Sequence, residues 1–436
     1  MFDLVIKNAR LVSAGDILEA EIAIVDGKIA RIAKDIVAKH IIDAHGLLVL
    51  PGMVDAHVHF RDPGLTHKED WYTGSSAAVA GGVTSVVDHP NTIPPTTSVD
   101  SFKVKLREAE SKSIVDFGIN AGVVQAAELE VLWASGITAF GEIYMADSMG
   151  GLSVDDDTLW SSLRIIKRLG GIACIHAEDE QIIRENIEKL GDRTDPSAHS
   201  SSRPNGCEVA AMAKAIRLAQ DTGVKLHICH LSTREGLDLI GADITSEVTP
   251  HHLFLSQKDW DRLGTFGKMN PPLRSELDRE NLWAGLHKID IIASDHAPHT
   301  MEEKKQDIWR TPAGVPGVET SLPLMLSAVK KGIISLQRVI ELMATNPARI
   351  FCLGEKGEIA VGKDADIVLV DLNDVTPIKA RNLHSKSGWT PFEGLDGVFP
   401  KMTFVRGELM YDGEIVGEKG YGRFIPGKGA NKPIYM

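Results

Sequence analysis

The sequence predicts an α/β protein: a (β/α)8 barrel of the TIM type with a small β-sandwich domain formed by the N- and C-terminal segments. Between about residues 51 and 350, eight short apolar runs alternate with stretches of helical periodicity, which is the pattern of parallel βα units. Both ends of the chain consist instead of short alternating strands separated by turns. We therefore predict two domains, a β domain from residues 1–50 plus 351–436 and a barrel over residues 51–350.

The strands of the predicted β domain come first along the chain. The segments FDLVIKNARLV, AEIAIVDGKIARIA and HIIDAHGLLVL have the character of short strands, and an Asp-Gly pair in the second marks a hairpin turn. Similar segments, GEIAVGKDADIVLVDL and TFVRGELMYDGEIVG, follow the barrel. Because the two ends share this character, we predict that they pair into one domain. The Gly- and Pro-rich end GYGRFIPGKGANKPIYM is expected to be loosely packed.

Eight apolar runs supply the predicted barrel strands. In chain order they are MVDAHVHF, TSVVDH, VDFGINAG, ITAFGEIYM, GIACIHA, KLHICHL, DITSEVTP and IDIIASDH. The stretches between them, such as DDDTLWSSLRIIKRLG and EVAAMAKAIRLAQDTG, have helical periodicity. A doubly wound open sheet is the alternative, but no GxGxxG motif follows a strand candidate. The barrel is therefore the preferred architecture.

Composition restricts the class of protein. The 436 residues include 47 basic and 60 acidic ones, a net charge of −13, which disfavours nucleic acid as a partner because phosphate contacts need Lys and Arg. The four cysteines form no CxxC motif, and a chain of this size needs no disulfides, so we expect a cytoplasmic protein. The first residues alternate like a strand rather than a signal peptide. No apolar run is long enough to predict a membrane span.

Histidines stand at the ends of several predicted strands, and the active site of such a barrel gathers at the C-terminal ends of its strands. His57 and His59 are one period-2 step apart and so point the same way. The run GIACIHA contains His176 near its end. In KLHICHL, strand alternation separates His230 from His227. We prefer His230 as the inward-pointing ligand and expect His227 to be packed or at the surface.

Two carboxylates complete the candidate site. Asp295 lies four residues before His299 in IDIIASDHAPH, and Glu142 lies inside the apolar run ITAFGEIYM. Imidazole and carboxylate groups bind Zn²⁺ and similar cations, and a cation offsets the cost of burying charge. Two cations bridged by a carboxylate can also ionise a shared water near neutral pH. A lone strand histidine is usually a satisfied core residue, but several such strand ends together favour a metal site.

Several motifs make the chain resemble the cyclic amidohydrolases and, within them, the dihydroorotase group. The His-x-His pattern after PGMVD and the motif SDHAPH are typical of the superfamily. Arg61 and the motifs HPNTIPPTT, GKMNPPLR and WTPFEG resemble the dihydroorotase group in particular. The resemblance covers nearly the whole chain. It implies a (β/α)8 barrel with an attached β domain, which the periodicity predicts independently.

The resemblance also implies roles for individual residues. It implies one set of metal ligands, with Asp295 serving as the acid/base as well: His57, His59, His176, His230 and Asp295. It implies a second set that holds the substrate: Arg61, Asn91, Asn270 and His299. The planar guanidinium of Arg61 is suited to a substrate carboxylate, which hydantoins and allantoin lack.

Position 142 departs from the family pattern that the resemblance supplies. Many members carry a lysine, carboxylated by CO₂, between two metals, and the aligned residue here is Glu142. A glutamate is about three atoms shorter than a carboxylated lysine, but it has the same terminal charge and needs no CO₂. Our hypothesis is that Glu142 is a metal ligand that bridges two Zn²⁺ ions. A site with one Zn²⁺ per chain is the alternative.

The implied activity is the reversible, zinc-dependent cyclisation of N-carbamoyl-L-aspartate to L-dihydroorotate in pyrimidine biosynthesis. Two alternatives stay open. A related cyclic amidase, acting on hydantoins, dihydropyrimidines or allantoin, is disfavoured by Arg61 and Asn91, and a non-catalytic assembly partner is supported only by Glu142. A homodimer and an association with aspartate transcarbamoylase are compatible with the sequence. The loop at residues 145–153 is either a lid or an ordinary βα loop.

Overall fold

The computed structural model describes residues 2–13, 16–147 and 151–430. Its strands are β1 (Phe2–Ser13), β2 (Asp16–Val25), β3 (Lys28–Ala33), β4 (Ala38–Asp43), β5 (Leu48–Pro51), β6 (Met53–Val58), β7 (Val83–Asp88), β8 (Asp116–Ile119), β9 (Phe140–Tyr144), β10 (Ile172–His176), β11 (Lys225–Ile228), β12 (Ile244–Val248), β13 (Ile291–Ile292), β14 (Ile367–Pro377), β15 (Asp396–Val405) and β16 (Glu408–Tyr411). Residues 148–150, in the loop that the sequence leaves open as a lid or an ordinary βα loop, lie outside the described residues.

The α-helices of the same ranges are α1 (Trp71–Ala80), α2 (Val99–Lys112), α3 (Leu129–Ala134), α4 (Asp156–Leu169), α5 (Glu180–Leu190), α6 (Ser197–Ser202), α7 (Asn205–Thr222), α8 (Arg234–Leu237), α9 (Pro250–Phe254), α10 (Trp260–Leu263), α11 (Glu276–Ala284), α12 (Met301–Lys304), α13 (Val318–Lys330), α14 (Leu336–Ile340) and α15 (Asn346–Ile350). A π-helical turn, Glu341–Thr345, joins the last two. Across the described residues, no helix combines the length and the apolarity needed to cross a membrane.

Strands β6 to β13 form a parallel barrel. β6, β7 and β8 pair in that order, and β9 to β13 pair in chain order. Single parallel bridges join the two sheets at both edges, between Ala121 and Phe140 and between Val58 and His296. The eight strands therefore close into a ring, and each coincides with one of the eight runs predicted from the sequence. The predicted fold class is confirmed.

Helices cover the outside of the barrel because its strands are apolar on both faces. In α7, Ala211, Ala215 and Ala219 recur every fourth residue and are buried, so that small side chains let the helix pack closely on its neighbours. The side chain of Asp155 caps the N-terminus of α4 by accepting from the Thr158 N–H. Gly170 ends the helix with a φ of 76°, which glycine adopts readily. These short, capped connections return the chain to the next strand and leave the C-terminal strand ends open.

Segments from both chain ends form one eight-stranded sheet, in the order β16-β15-β14-β5-β1-β2-β3 with β4 paired to β1. Strand β14 from the C-terminal part pairs antiparallel with β5 from the N-terminal part. An apolar cluster that includes Ile6, Ile22, Ile367 and Phe404 packs on this sheet. The two ends thus pair as expected, while the division at residues 50/51 and 350/351 stays a prediction.

The expectation of a loosely packed end was wrong for residues 420–430, and its remaining residues, 431–436, lie outside the described residues. Phe117 in β8 donates its N–H to the Arg423 carbonyl (2.9 Å), and Ile425 donates to the Phe117 carbonyl (2.7 Å). A Cβ on Gly422 would lie 2.0 Å from the Val115 carbonyl oxygen. Glycine here allows close backbone approach to β8, which the composition alone does not reveal.

Candidate active site

Six predicted metal-ligand side chains converge at the C-terminal ends of the barrel strands, and all are buried: His57, His59, Glu142, His176, His230 and Asp295. Five different strands, β6, β9, β10, β11 and β13, end beside them or contain them. Within two groups of three, the candidate ligand atoms lie within 4.8 Å of one another. The predicted cluster is therefore assembled by the fold.

The first group contains His57, His59 and Asp295. The Nε2 atoms of the two imidazoles lie 3.2 Å apart. Oδ1 of Asp295 is 2.9 Å from Nε2 of His59 and 3.5 Å from Nε2 of His57. Three donor atoms thus point at one small volume.

Glu142 connects this group to a second one. Its Oε2 is 3.4 Å from Nε2 of His57. Its Oε1 is 2.9 Å from Nε2 of His230 and 3.2 Å from Nδ1 of His176. The two oxygens of one carboxylate therefore face two different histidine groups, which is the arrangement that a bridging ligand requires.

The outer nitrogens of the first histidine pair show that the site fits a cation. Nδ1 of His57 lies 2.5 Å from Glu247, and Nδ1 of His59 lies 2.5 Å from Oδ1 of Asn91. Each Nδ1–H donates to an acceptor, so in the neutral rings each Nε2 carries a lone pair. Two lone pairs that face each other at 3.2 Å are not a hydrogen bond. A cation between them would satisfy both.

Electrostatics in the cluster favour ionised carboxylates. Burial would raise the pKa of Glu142, but the imidazoles of His57 and His176 are among those that hold this pKa well below its usual value. Burial would also raise the pKa of Asp295, but neighbouring imidazoles lower this pKa to about 2. Burial disfavours charge on His57, but Glu247 and the other carboxylates raise the pKa of His57 well above its ordinary value. Without a cation, His57 would therefore hold a second proton on Nε2, and a bound cation would take the place of that proton and leave the neutral ring described above.

Three site residues have a left-handed backbone that non-glycine residues seldom adopt. Their φ angles are 63° at Arg61, 33° at His230 and 45° at Asp295. Each of them follows the end of a barrel strand, where the chain turns away. Such conformations persist only where the surrounding structure imposes them, and they concentrate at functional sites.

The structure brings His230 into the cluster, with its Nε2 2.9 Å from Oε1 of Glu142, but not for the reason given by strand alternation. Its role as a metal ligand stays a prediction. Leu226 and Ile228 pack in the large core that includes the helices, whereas His227 packs against Phe351 with ring centroids 5.4 Å apart. His230 lies beyond the end of the strand and reaches the cluster through its left-handed backbone. Strand alternation does not apply to a residue outside the strand.

The four predicted substrate-holding residues divide into two sets. Arg61, Asn91 and Asn270 line a small cavity beside the metal-donor cluster, together with Asp295. His299 lies behind that cavity, with its Nε2 3.0 Å from the Ala313 carbonyl and its Nδ1 3.1 Å from Nζ of Lys68. Asn91 has a second contact through its bond to His59, which the sequence did not suggest.

Four contacts to the cluster were missed in the sequence. Glu247, at the end of β12, accepts from His57 and from His227. Glu178 lies 2.9 Å from Nε2 of His176, the hydroxyl of Tyr144 donates to Oε2 of Glu142 at 2.6 Å, and the ring of His89 stacks on His57 with centroids 4.0 Å apart. A carboxylate inside an apolar strand run, the signal that identified Glu142, would also have identified Glu247.

Glu247→Gln is expected to weaken zinc binding about 10- to 100-fold, because a carboxylate behind a histidine fixes its tautomer and raises its basicity. A chelator competition titration of the purified variant measures this. Glu319→Gln is the matched control, since Glu319 is also buried but bonds His384 outside the cluster. Equal zinc affinity in Glu247→Gln and the unmodified protein would contradict the expectation.

The closed parallel barrel with histidines and carboxylates at its C-terminal end is that of the metal-dependent hydrolase class. Residues 48–410 match the model of the Amidohydrolase family, and the chain belongs to this family.

The chain is 50% identical to a dihydroorotase of Methanosarcina mazei, over 98% of this chain and 99% of that protein. It is also 36% identical to an L-hydantoinase of Paenarthrobacter aurescens, over 98% of both chains. The solved structure of an L-hydantoinase (dihydropyrimidinase) from Arthrobacter aurescens superimposes with a TM-score of 0.94 at 36% identity, covering 98% of this chain and all of that one. The family resemblance of the motifs is confirmed.

Proposed function

We propose that the protein is a dihydroorotase, which interconverts N-carbamoyl-L-aspartate and L-dihydroorotate in pyrimidine biosynthesis. Archaeal relatives named dihydroorotase, 41–50% identical to this chain, support the assignment. The structural observation that carries it is Arg61, a buried cation beside the metal-donor cluster that has no anionic partner among the described residues.

Arg61 is 1% exposed. Among the residues that the structure describes, no carboxylate forms an ion pair with it, and its Nη1 has no hydrogen-bond partner. Its Nε donates to the Pro298 carbonyl at 3.3 Å. A buried guanidinium without an anion is unfavourable, and its two-pronged geometry matches a carboxylate. Both L-dihydroorotate and N-carbamoyl-L-aspartate carry such a carboxylate.

His299 leaves the guanidinium open to a ligand. Burial lowers the pKa of His299 to about 3, so that its ring is neutral near pH 7. Its Nδ1 lies 3.1 Å from the ammonium of Lys68 and 3.7 Å from Oε2 of Glu303. We assign Nδ1 as the acceptor for the closer group, Lys68, so that Nε2 carries the proton and donates to the Ala313 carbonyl. Nε2 therefore cannot accept from Arg61, although Nη2 lies 3.3 Å away.

The roles of the chain's residues follow from this geometry. Bound zinc would be held by the six-residue cluster and would supply an ionised water and polarisation of the ring carbonyl. Asp295 lines the cavity and is held ionised, so that in the hydrolytic direction it can accept the proton of the attacking water and pass it to the ring nitrogen. Arg61 holds the substrate carboxylate and so orients the ring. The opposed oxygens of Glu142 favour two zinc ions per chain.

Turnover of L-dihydroorotate by the purified, zinc-supplemented protein tests the assignment. The assay follows the loss of ring absorbance, with hydantoin and allantoin run in parallel. Turnover of dihydroorotate alone supports a dihydroorotase. Preferred turnover of hydantoin would support the cyclic amidase that the 36% identical L-hydantoinase represents. No turnover of any ring with zinc bound would favour a non-catalytic partner.

Arg61→Met is expected to raise the KM for L-dihydroorotate about 100-fold with a smaller effect on kcat, since a charged hydrogen-bonding pair is lost. Initial-rate kinetics measure both constants. Arg61→Lys is the matched variant, because it keeps the charge but not the planar fork, and an intermediate KM is expected. An unchanged KM in Arg61→Met would remove the main support for a carboxylate-bearing substrate.

The quaternary partners stay predictions. A homodimer and an association with aspartate transcarbamoylase would each be compatible with a biosynthetic enzyme of this family. Size-exclusion chromatography with light scattering, with and without the transcarbamoylase, would determine the assembly.

A further inference from the structure

Lys304, the last residue of α12, is a fully buried lysine that forms no ion pair with a carboxylate of the described residues. Its Nζ donates to three backbone carbonyls, those of Lys268 at 2.9 Å, Gly314 at 3.0 Å and Pro312 at 3.1 Å. An ammonium group has three N–H donors, so each finds one acceptor. Its other neighbour is the ring of Trp389, whose centroid lies 5.6 Å from Nζ. A buried lysine held by carbonyls and a ring is unusual, because an apolar residue would fill the same space without a desolvation cost.

The three carbonyls belong to two segments that form walls of the substrate cavity. Ala313 and Gly314 line the cavity, and Lys268 lies two residues before Asn270, which lines it as well. Gly314 also donates its N–H to the Lys268 carbonyl at 3.0 Å. Lys304 therefore connects both walls through its hydrogen bonds to their carbonyls.

The same lysine determines where the Ala313 carbonyl points. Since the carbonyls on both sides of Ala313 are held by Nζ of Lys304, the backbone of residues 312–314 has little freedom to rotate. The Ala313 carbonyl is directed at His299 and accepts its Nε2–H at 3.0 Å. His299 in turn lies 3.3 Å from Nη2 of Arg61. Hydrogen bonds thus run from Lys304 to His299, and the last step to the guanidinium is packing without a hydrogen bond.

We propose that Lys304 is a positioning residue for the substrate carboxylate, which acts by fixing residues 312–314 and, through the Ala313 carbonyl, His299 beside Arg61. The inference rests on the proposed function, because it concerns the same substrate group. It assigns to α12 a part in substrate affinity that involves neither the metal donors nor the acid/base. A lysine that only stabilised the fold would affect melting temperature without a selective effect on KM.

Lys304→Gln and Lys304→Met test the proposal by kinetics with L-dihydroorotate. Lys304→Gln keeps two N–H donors and is the variant better suited to fold. We expect KM to rise roughly tenfold in Lys304→Gln, which corresponds to a loss of about 1.4 kcal/mol of binding. We expect a larger rise in Lys304→Met. In both variants kcat should stay within about twofold and the zinc content should be unchanged. Lys356→Met is the matched control, a buried lysine paired with Asp116 and Asp366. It should lower the melting temperature and leave KM unchanged.

A double-mutant cycle tests whether the effect passes through His299. If it does, Lys304→Gln should raise KM much less in a His299→Ala background than in the unmodified protein. Additive effects of the two substitutions, or an unchanged KM in the Lys304 variants, would overturn the inference. A structural role would also be favoured if kcat and zinc content fell in parallel with KM, or if neither Lys304 variant folded. Turnover by the unmodified protein decides the proposed function separately, so the two failures are distinguishable.

Discussion

Asp295→Ala is expected to reduce kcat for L-dihydroorotate by about 10³- to 10⁴-fold while substrate binding stays measurable. A positioned acid/base contributes about 10²- to 10⁴-fold, and Asp295 has the geometry for this role because it lines the cavity and contacts His59 at 2.9 Å. The cations would keep most of their ligands, because His57, His59 and Glu142 remain. The Nε hydrogen bond of Arg61 goes to the Pro298 carbonyl and not to Asp295.

The measurement combines single-turnover kinetics with calorimetric titration of L-dihydroorotate. Asp295→Asn is the matched variant, because it preserves the shape of the side chain but cannot accept the proton. Both variants should bind substrate within about tenfold of the unmodified protein. If Asp295→Asn retained more than about a tenth of the activity, proton transfer would have to be assigned to another group.

The barrel could be predicted because its signals are local. Each strand run is a few residues long and apolar on both faces, so the alternation of strands with helices is visible in the sequence. His57 and His59 were recognisable because period-2 spacing places them on one side. The predicted position of the site, at the strand ends, followed from the fold class, since the active site of such a barrel lies at its C-terminal face.

The contacts that hold the ligands in place could not be predicted, because they join distant segments. Glu247 is 190 residues from His57 in the chain, and Asn91 is 32 residues from His59. Neither spacing has a local periodicity that would indicate the contact. The packing of the C-terminal segment on β8 is a further example. In the sequence Gly422 suggests a flexible segment, whereas in the structure it allows close packing against the backbone.

The histidine choice in β11 shows a different limit. Strand alternation is valid only inside a strand, and β11 ends at Ile228, two residues before His230. The side chain reaches the cluster because its backbone has a φ of 33°. A left-handed residue at a strand end redirects the side chain, and propensity does not indicate where one will occur.

Glu142→Ala is expected to lower kcat by about 10²- to 10³-fold and to reduce bound zinc from two ions to one per chain. The reason is that its oxygens face different histidine groups, with Oε2 towards His57 and Oε1 towards His230. Removing a shared ligand leaves each cation with an incomplete set of donors. Loss of one Lewis acid removes several kcal/mol of transition-state stabilisation.

Metal analysis and kinetics of the same preparations test this expectation. Glu142→Gln is the matched variant, since it keeps the acceptor for the Tyr144 hydroxyl but has a neutral amide that is a poor bridge. Both variants should therefore lose zinc, whereas loss in Glu142→Ala alone would indicate a packing defect. One zinc ion per chain in the unmodified protein, together with full activity of Glu142→Ala, would exclude a bridge. In that case the carboxylate would serve only to neutralise the imidazoles around it, and a single ion held by the histidines and Asp295 would have to support the reaction.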